Sequence, residues 1–308
     1  MRNARKAVTD TLLELARQDR SIFALCTDSR GSVTLSQFAD ELPNQFVECG
    51  IAEQDAVGIG AGLANAGLKP FVCGPACFLS MRAAEQVKVD MAYSRMNVKV
   101  IGVSGGVSYG ALGTTHHSTQ DVALMRAIPN MAVILPADYA QAAAMTRALV
   151  DYDGPVYMRV GRGDVEDIYD DGASFEIGKA SWLQHGLDVS LIACGEMVAR
   201  TVEASRLLNA SGVSVSVLDM HTLKPLDEAA VLKAAETGAV LTVEEHAVAG
   251  GLGGAAAELL CQRKPVKMRI LGLPVEPLYN GSTADVFSHY GLTAQGIADA
   301  AMQLIVRE

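Results

Sequence analysis

The sequence predicts an α/β protein built from two doubly wound domains. Three observations carry this. Short, nearly continuous apolar runs alternate with longer segments of helical period, the pattern of parallel strands covered by helices on both faces. The chain has 308 residues, half of them hydrophobic, which is ample for more than one core. A polar, acidic stretch without regular period, GDVEDIYDDGASFEIGK, separates two such series. The expected division is a first domain over 1–165, a linker over 166–185 and a second domain over 186–308.

In chain order, MRNARKAVTDTLLELARQDR places Val8, Leu12 and Leu15 at helical spacing among charges. That is an amphipathic helix and not a signal peptide, which needs an uninterrupted apolar stretch. SIFALCT, KPFVCG, VKVIGVS, MAVILPA and GPVYMRV read as buried strands. Helices are predicted between them over Glu53–Ala66, Ala83–Met96, Asp121–Ala127 and Tyr139–Val150. The second series runs strand DVSLIACG, helix Met197–Ala210, strand VSVSVLDM, helix Asp227–Ala235 and strand AVLTVEEH. The glycine cluster AGGLGG then opens a helix over Ala255–Leu260, strand VKMRILGL follows, and a helix over Thr293–Ile305 closes the chain.

Charge and cysteine usage narrow the function. With 25 basic and 35 acidic residues the net charge is −10, and no stretch concentrates Lys or Arg, which argues against a nucleic-acid surface. No apolar segment approaches a membrane span. The six cysteines form no CxxC pair and have no histidine at zinc spacing, and most of them lie in apolar runs and read as small buried hydrophobes in a reducing compartment. A cytoplasmic protein without a metal site of its own is expected.

Two motifs need weighing. Gly251-x-Gly253-x-x-Ala256 loosely fits a dinucleotide fingerprint, but a tight turn with close helix packing explains it more simply. His116 and His117, in TTHHSTQD, follow the glycine-rich GVSGGVSYGALG at the C-terminal end of a strand, where open α/β sheets hold their ligands. There is no phosphate-loop GxxxxGK[ST] and no GxSxG. A third segment, ECGIAEQDAVGIGAGLANAG, heads a helix with Glu53 and places Gly58, Gly60 and Gly62 inside it. Each interior glycine costs a helix about 0.5–1 kcal/mol, so a second helix or a ligand is expected close to that backbone.

Glu53, Gly58, Ile59, Gly62 and Leu63 at their spacing resemble the signature of thiamine-diphosphate enzymes in the pyrimidine-binding domain. GIAEQ places the resemblance in the transketolase-like branch. GTTHHSTQDVALMRAIPNM is similar to the transketolase and deoxyxylulose-phosphate synthase version of the substrate loop, and NGSTADVFSHYGLTAQGIADAA resembles the transketolase C-terminal domain. The resemblance covers essentially the whole chain. It implies a pyrimidine-binding thiamine-diphosphate fold followed by a transketolase C-terminal domain, and transfer of a two-carbon ketol unit between phosphorylated sugars. The GDG motif with which complete transketolases hold Mg²⁺ and the cofactor's diphosphate is missing. The chain therefore resembles the C-terminal subunit of a split transketolase. It would need a separate N-terminal subunit for the diphosphate and Mg²⁺, and would self-associate through the pyrimidine domain. The alternative within enzymes is a β subunit of another thiamine enzyme, such as a 2-oxo-acid dehydrogenase or a synthase; outside them, a non-catalytic subunit.

Residue by residue, the resemblance implies that Glu53 hydrogen-bonds the pyrimidine N1′ and that Phe78, with the match displaced by one residue, stacks on the pyrimidine. His116 would lie beside the thiazolium and the reacting carbonyl, where it hydrogen-bonds and moves protons at substrate oxygens. Arg162, in YMRVGRGD, matches the arginine that binds the sugar phosphate. The resemblance implies two departures from the family at substrate positions: Leu112 replaces the aspartate that reads a donor hydroxyl, and Ser104 stands where a second histidine is usual.

Overall fold

In the computed structural model, which describes residues 1–306, the apolar runs assemble into two parallel sheets. The larger has the order Thr222–Lys224, Ala132–Ile134, Val156–Val160, Lys99–Val103, Lys69–Pro75, Ile22–Cys26, Phe46–Glu48. All its neighbours pair in parallel except the first strand, which runs antiparallel to Ala132–Ile134. The smaller has the order Lys267–Leu273, Ala239–Ala247, Val189–Ala193, Val215–Asp219, Ser181–Gln184, again with one antiparallel edge strand, Ser181–Gln184. The near-continuous apolar runs are explained by this geometry, since Val98, Val100, Ile101 and Val103 are all buried by helices on the two faces.

Five short strands lie outside the predicted ones: Arg2–Asn3, Phe46–Glu48, Asp164–Val165, Ser181–Gln184 and Thr222–Lys224. Ser181–Gln184 falls inside the stretch read as linker. Thr222–Lys224 crosses from the second series of elements to complete the first sheet, so the two series interlock. Their apolar core is also continuous, with Met125, Ile128 and Leu135 in one cluster with Ile192, Leu218 and Leu252.

The helices follow the predicted periods closely: Ala4–Ala16, Glu53–Asn65, Asp121–Ala127, Tyr139–Asp151, Met197–Ala210, Glu228–Ala234, Leu252–Arg263 and Ala294–Val306. The single helix expected over Ala83–Met96 is instead a short turn, Ala84–Gln86, continued by π-helix over Val87–Tyr93 and stopped at Arg95, whose φ is +53°. The wider turns keep Val87 and Met91 in the core while Val89 and Tyr93 face outward.

Gly60 gives the helix glycines a reason within this chain. A methyl group there would lie 3.0 Å from Val72 Cγ2 and 3.4 Å from Val98 Cγ1, so the bare backbone lets the helix seat on the sheet. Gly58 and Gly62 face open space. The AGGLGG cluster is a packing turn. Leu252 and Gly253 donate their backbone N–H groups to the Glu244 carboxyl oxygens at 2.7 and 2.8 Å, so the helix start is already capped by a side chain of the chain itself. Gly253 abuts Ile270 so closely that a methyl group would fall 2.3 Å from its Cγ2. Cys26, Cys73, Cys77 and Cys194 are buried, Cys49 is half-buried, Cys261 is exposed, and all six are free thiols. No helix among the described residues is long and apolar enough to cross a membrane.

Candidate active site

Four loops at the C-terminal ends of parallel strands place a row of side chains along one edge of the larger sheet. The loop after Phe46–Glu48 leads into the helix headed by Glu53. The segment after Lys69–Pro75 carries Phe78 and Arg82, the loop after Lys99–Val103 carries Tyr109 and His116, and the turn after Val156–Val160 carries Arg162. This is the edge where open parallel sheets gather ligands.

Glu53 is 5 % exposed. Ala52 before it supplies no side-chain cap, so Glu53 and Asp55 are the acids that complement the positive end of the helix. Both Glu53 carboxylate oxygens accept from Arg82 Nη1, at 3.1 and 3.2 Å. The same guanidinium lies 3.9 Å over the Phe78 ring. Phe78 and Tyr109 each meet His116 edge-on at 5.3 Å, and Arg162 stands 5.2 Å over Tyr109. Thr115 Oγ1 and His116 Nδ1 are 2.9 Å apart, which orients the imidazole.

Glu53, Phe78, His116 and Arg162 are therefore linked through Arg82 and Tyr109. Neither linker stands out in the sequence, although Arg82 follows Phe78 by four residues, the spacing of neighbours on a helical face. Arg5 likewise belongs to no motif. Its Nη1 donates to the Ser32 carbonyl at 2.5 Å, its Nε is buried without an acceptor among the described residues, and burial together with the charge of Arg162 lowers its pKa. Arg162 Nη1 is also buried without an acceptor, and its carbonyl is held by Asn3 Nδ2 at 2.8 Å. Two guanidinium groups short of acceptors make this end of the row suited to an anion.

The two positions that depart from the family differ in setting. Leu112 is 56 % exposed, in the Gly110–Thr115 turn that leads to His116. Ser104 is fully buried, adopts φ +60° and has no partner for its hydroxyl among the described residues. A non-glycine residue held in the left-handed region costs energy and is often found at functional sites. His117 is buried below the loop, its Nε2 2.8 Å from the Gly110 carbonyl.

Beneath the row lies a buried polar network. Asp121 accepts from the Tyr157 hydroxyl at 2.6 Å and from Arg159 Nη1 at 3.2 Å. Burial, reinforced by Asp121, pushes the Tyr157 phenol well up. Two acids of the second unit lie close to it, and the carbonyl of one of them, Glu245, accepts from Arg159. Burial pushes the Glu196 carboxyl up, aided by the charge of Glu245, and burial pushes Glu245 up as well. A carboxyl that is protonated when folded but ionised when unfolded adds stability that is full below its unfolded pKa, near 4.5, and is lost as pH rises through the folded value. Glu196→Gln, which mimics the neutral acid, is thus expected to gain stability relative to wild type from pH 5 to pH 8. Urea denaturation at a series of pH values reads this, and a difference that is flat or of opposite slope contradicts it. Glu196 also lines a cavity of about 510 Å³ between the two units, together with Ser108, Arg162, Arg200, Thr283 and Phe287.

Fold and site together define an α/β chain with a candidate ligand site at the C-terminal ends of its parallel strands, and comparison with known proteins makes this specific. The family model described as transketolase, pyrimidine binding domain, matches residues 1–167, and that described as transketolase, C-terminal domain, matches residues 178–297. The chain belongs to the transketolase family. Within it, the chain is similar to subunits of split transketolases. It is 54 % identical over 303 residues to a subunit of the apulose-4-phosphate transketolase from Phocaeicola vulgatus, covering 98 % of this chain and 97 % of the relative. It is 39 % identical over 307 residues to the 6-deoxy-6-sulfo-D-fructose transketolase subunit SqwH of a Clostridium species, with 99 % and 95 % covered. A solved split-gene transketolase, described as an inactive β4 tetramer, superposes with a TM-score of 0.92 at 35 % identity, each chain covered to 99 %.

Proposed function

We propose that this chain is the C-terminal subunit of a thiamine-diphosphate-dependent transketolase that moves a two-carbon ketol unit between phosphorylated sugars in the cytoplasm. The observation that carries the reading is the Glu53–Arg82–Phe78 arrangement. A planar nitrogen group there already hydrogen-bonds the carboxylate while stacking on the aromatic ring. An aminopyrimidine is planar too and needs the same two contacts, so the residues present fit the pyrimidine half of the cofactor.

When bound, thiamine diphosphate supplies the carbanion chemistry. The chain's own residues orient the pyrimidine and handle protons. Glu53 holds a proton at the ring nitrogen N1′, and Phe78 fixes the ring plane. His116, steadied by Thr115 and two aromatic edges, hydrogen-bonds and moves protons at the substrate oxygens. Arg162 receives the sugar phosphate. Among the described residues, no group of three or more His, Cys, Asp and Glu is placed to hold a metal, and in this reading Mg²⁺ and the diphosphate are held mainly by a separate N-terminal subunit. That a related β4 assembly is inactive supports the need for a second kind of chain. Ile51, Met81 and Tyr93 are more than half exposed, and with the open backbone at Gly58 and Gly62 they favour self-association through the pyrimidine domain.

Leu112 bears on the donor. It cannot accept a hydrogen bond from a donor hydroxyl next to the reacting carbonyl, and leaving that hydroxyl unpaired on burial costs about 1–3 kcal/mol. Weak discrimination at that carbon, or preference for a branched or less hydroxylated ketose, is expected. One relative is named for apulose 4-phosphate, so that sugar phosphate belongs among the donors to be compared. Steady-state kinetics of the two-subunit complex on a panel of ketose phosphates tests the reading, with Leu112→Asp expected to shift preference toward common ketose phosphates. Strong preference of wild type for xylulose 5-phosphate, unchanged in Leu112→Asp, contradicts the role of Leu112. Turnover of 2-oxo acids with no ketol transfer contradicts the reading as a whole.

A further inference from the structure

The loop over 105–118 carries Tyr109 and His116, yet it is gripped from the second unit by the end of the strand Ala239–Ala247. Val107 donates its backbone N–H to Glu245 Oε1 at 2.7 Å, and its carbonyl accepts from Thr283 Oγ1 at 3.1 Å. Gly106 is what lets the acid reach: a methyl group there would fall 2.3 Å from Glu245 Cδ. Beyond the loop, Ala247 donates its N–H to the Thr119 carbonyl at 2.9 Å, and His246 Nε2 accepts from Ala123 N–H at 3.2 Å. Arg159 ties the two sides together, donating to the Glu245 carbonyl at 2.9 Å and to Asp121 at 3.2 Å. The loop then closes on itself through paired Gly106 and Ser118 backbone bonds of 3.0 and 2.7 Å. His116 is thus the outer end of a structure whose inner end is fixed by one strand of the other unit.

We propose that Glu245 is the positioning residue for His116. Its carboxylate, reaching from the second unit, fixes Val107 and through it the loop that presents the imidazole to substrate. Glu245 touches neither substrate nor cofactor. It acts by holding backbone, so an amide of the same shape, whose oxygen can accept the same N–H, serves nearly as well. A displacement of the imidazole by about 1 Å is enough to cost about 10²-fold in rate. Glu53 is anchored on a separate helix and should not feel the loss.

The test compares Glu245→Ala, Glu245→Gln and Thr283→Val, first on the full chain and then in the two-subunit complex. Hydrogen exchange followed by mass spectrometry is expected to show the 105–118 segment of Glu245→Ala exchanging about tenfold faster than wild type, with the segment 53–65 unchanged. Glu245→Gln should restore most of the protection. Thr283→Val, which removes only the second hydrogen bond, should loosen the same segment to a smaller extent and serves if Glu245→Ala does not fold. In the complex, Glu245→Ala should lower kcat by about 10²-fold while exchange of the cofactor's C2 proton stays at the wild-type rate. This kinetic arm rests on the ketol-transfer reading and the exchange arm does not, so the two can fail separately. Wild-type protection of 105–118 in both Glu245→Ala and Thr283→Val overturns the proposal. So does a Gln variant no better than Ala, or a parallel loss of turnover and C2 exchange.

Discussion

Glu53→Gln in the assembled two-subunit complex is expected to slow exchange of the thiamine C2 proton in deuterium oxide by about 10²–10⁴-fold, the contribution of a positioned acid–base group. Glutamine has the size of glutamate, and its oxygen can still accept from Arg82. It cannot hold a proton for the ring nitrogen. The helix start tolerates the change, because Asp55 remains in the first turn to complement its positive end. Assembly and cofactor affinity should therefore persist while the proton chemistry fails. Acid-quenched proton NMR of the cofactor measures the rate directly, and a wild-type rate in the variant removes Glu53 from the mechanism.

Arg162→Ala is the second large effect. The guanidinium has a buried nitrogen without an acceptor among the described residues and rests on the Tyr109 ring, so its removal breaks no internal ion pair. Its backbone stays anchored by Asn3 and by the antiparallel pairing of Arg2–Asn3 with Asp164–Val165. Folding stability should change little. Binding of phosphorylated substrates should weaken by about 1.5–3 kcal/mol, the range of a charge-assisted hydrogen bond to phosphate, seen as a KM raised tenfold or more. Sugars without phosphate should hardly respond. An equal rise in KM for both substrate types contradicts the assignment.

What can be read from the sequence is what depends on local pattern. Valine-rich and isoleucine-rich runs such as Lys99–Val103 announce parallel strands because both faces are buried, and the helix over Met197–Ala210 matches its period residue for residue. Thr222–Lys224 cannot be read so, since three residues carry no period and their partner, Ala132–Ile134, is some ninety positions away. The candidate site divides in the same way. Glu53 and His116 stand in motifs with fixed spacing. Arg82 and Tyr109 matter because folding brings four separate strand ends together, and Glu245 because it reaches Val107 across 138 positions. The EEH of residues 244–246 matches no motif of its own. Two of its side chains hold parts of the first unit from the second, and Glu244 caps a helix start.

In the proposed reading this chain supplies the pyrimidine half of a two-chain thiamine-diphosphate site. Isothermal titration of the purified chain with thiamine diphosphate and Mg²⁺, alone and after addition of the N-terminal subunit from the same cell, tests it most directly. Weak binding and no ketol transfer are expected of the chain alone, with tight binding and transfer restored by the partner. Tight binding with full activity in the absence of any partner would contradict it.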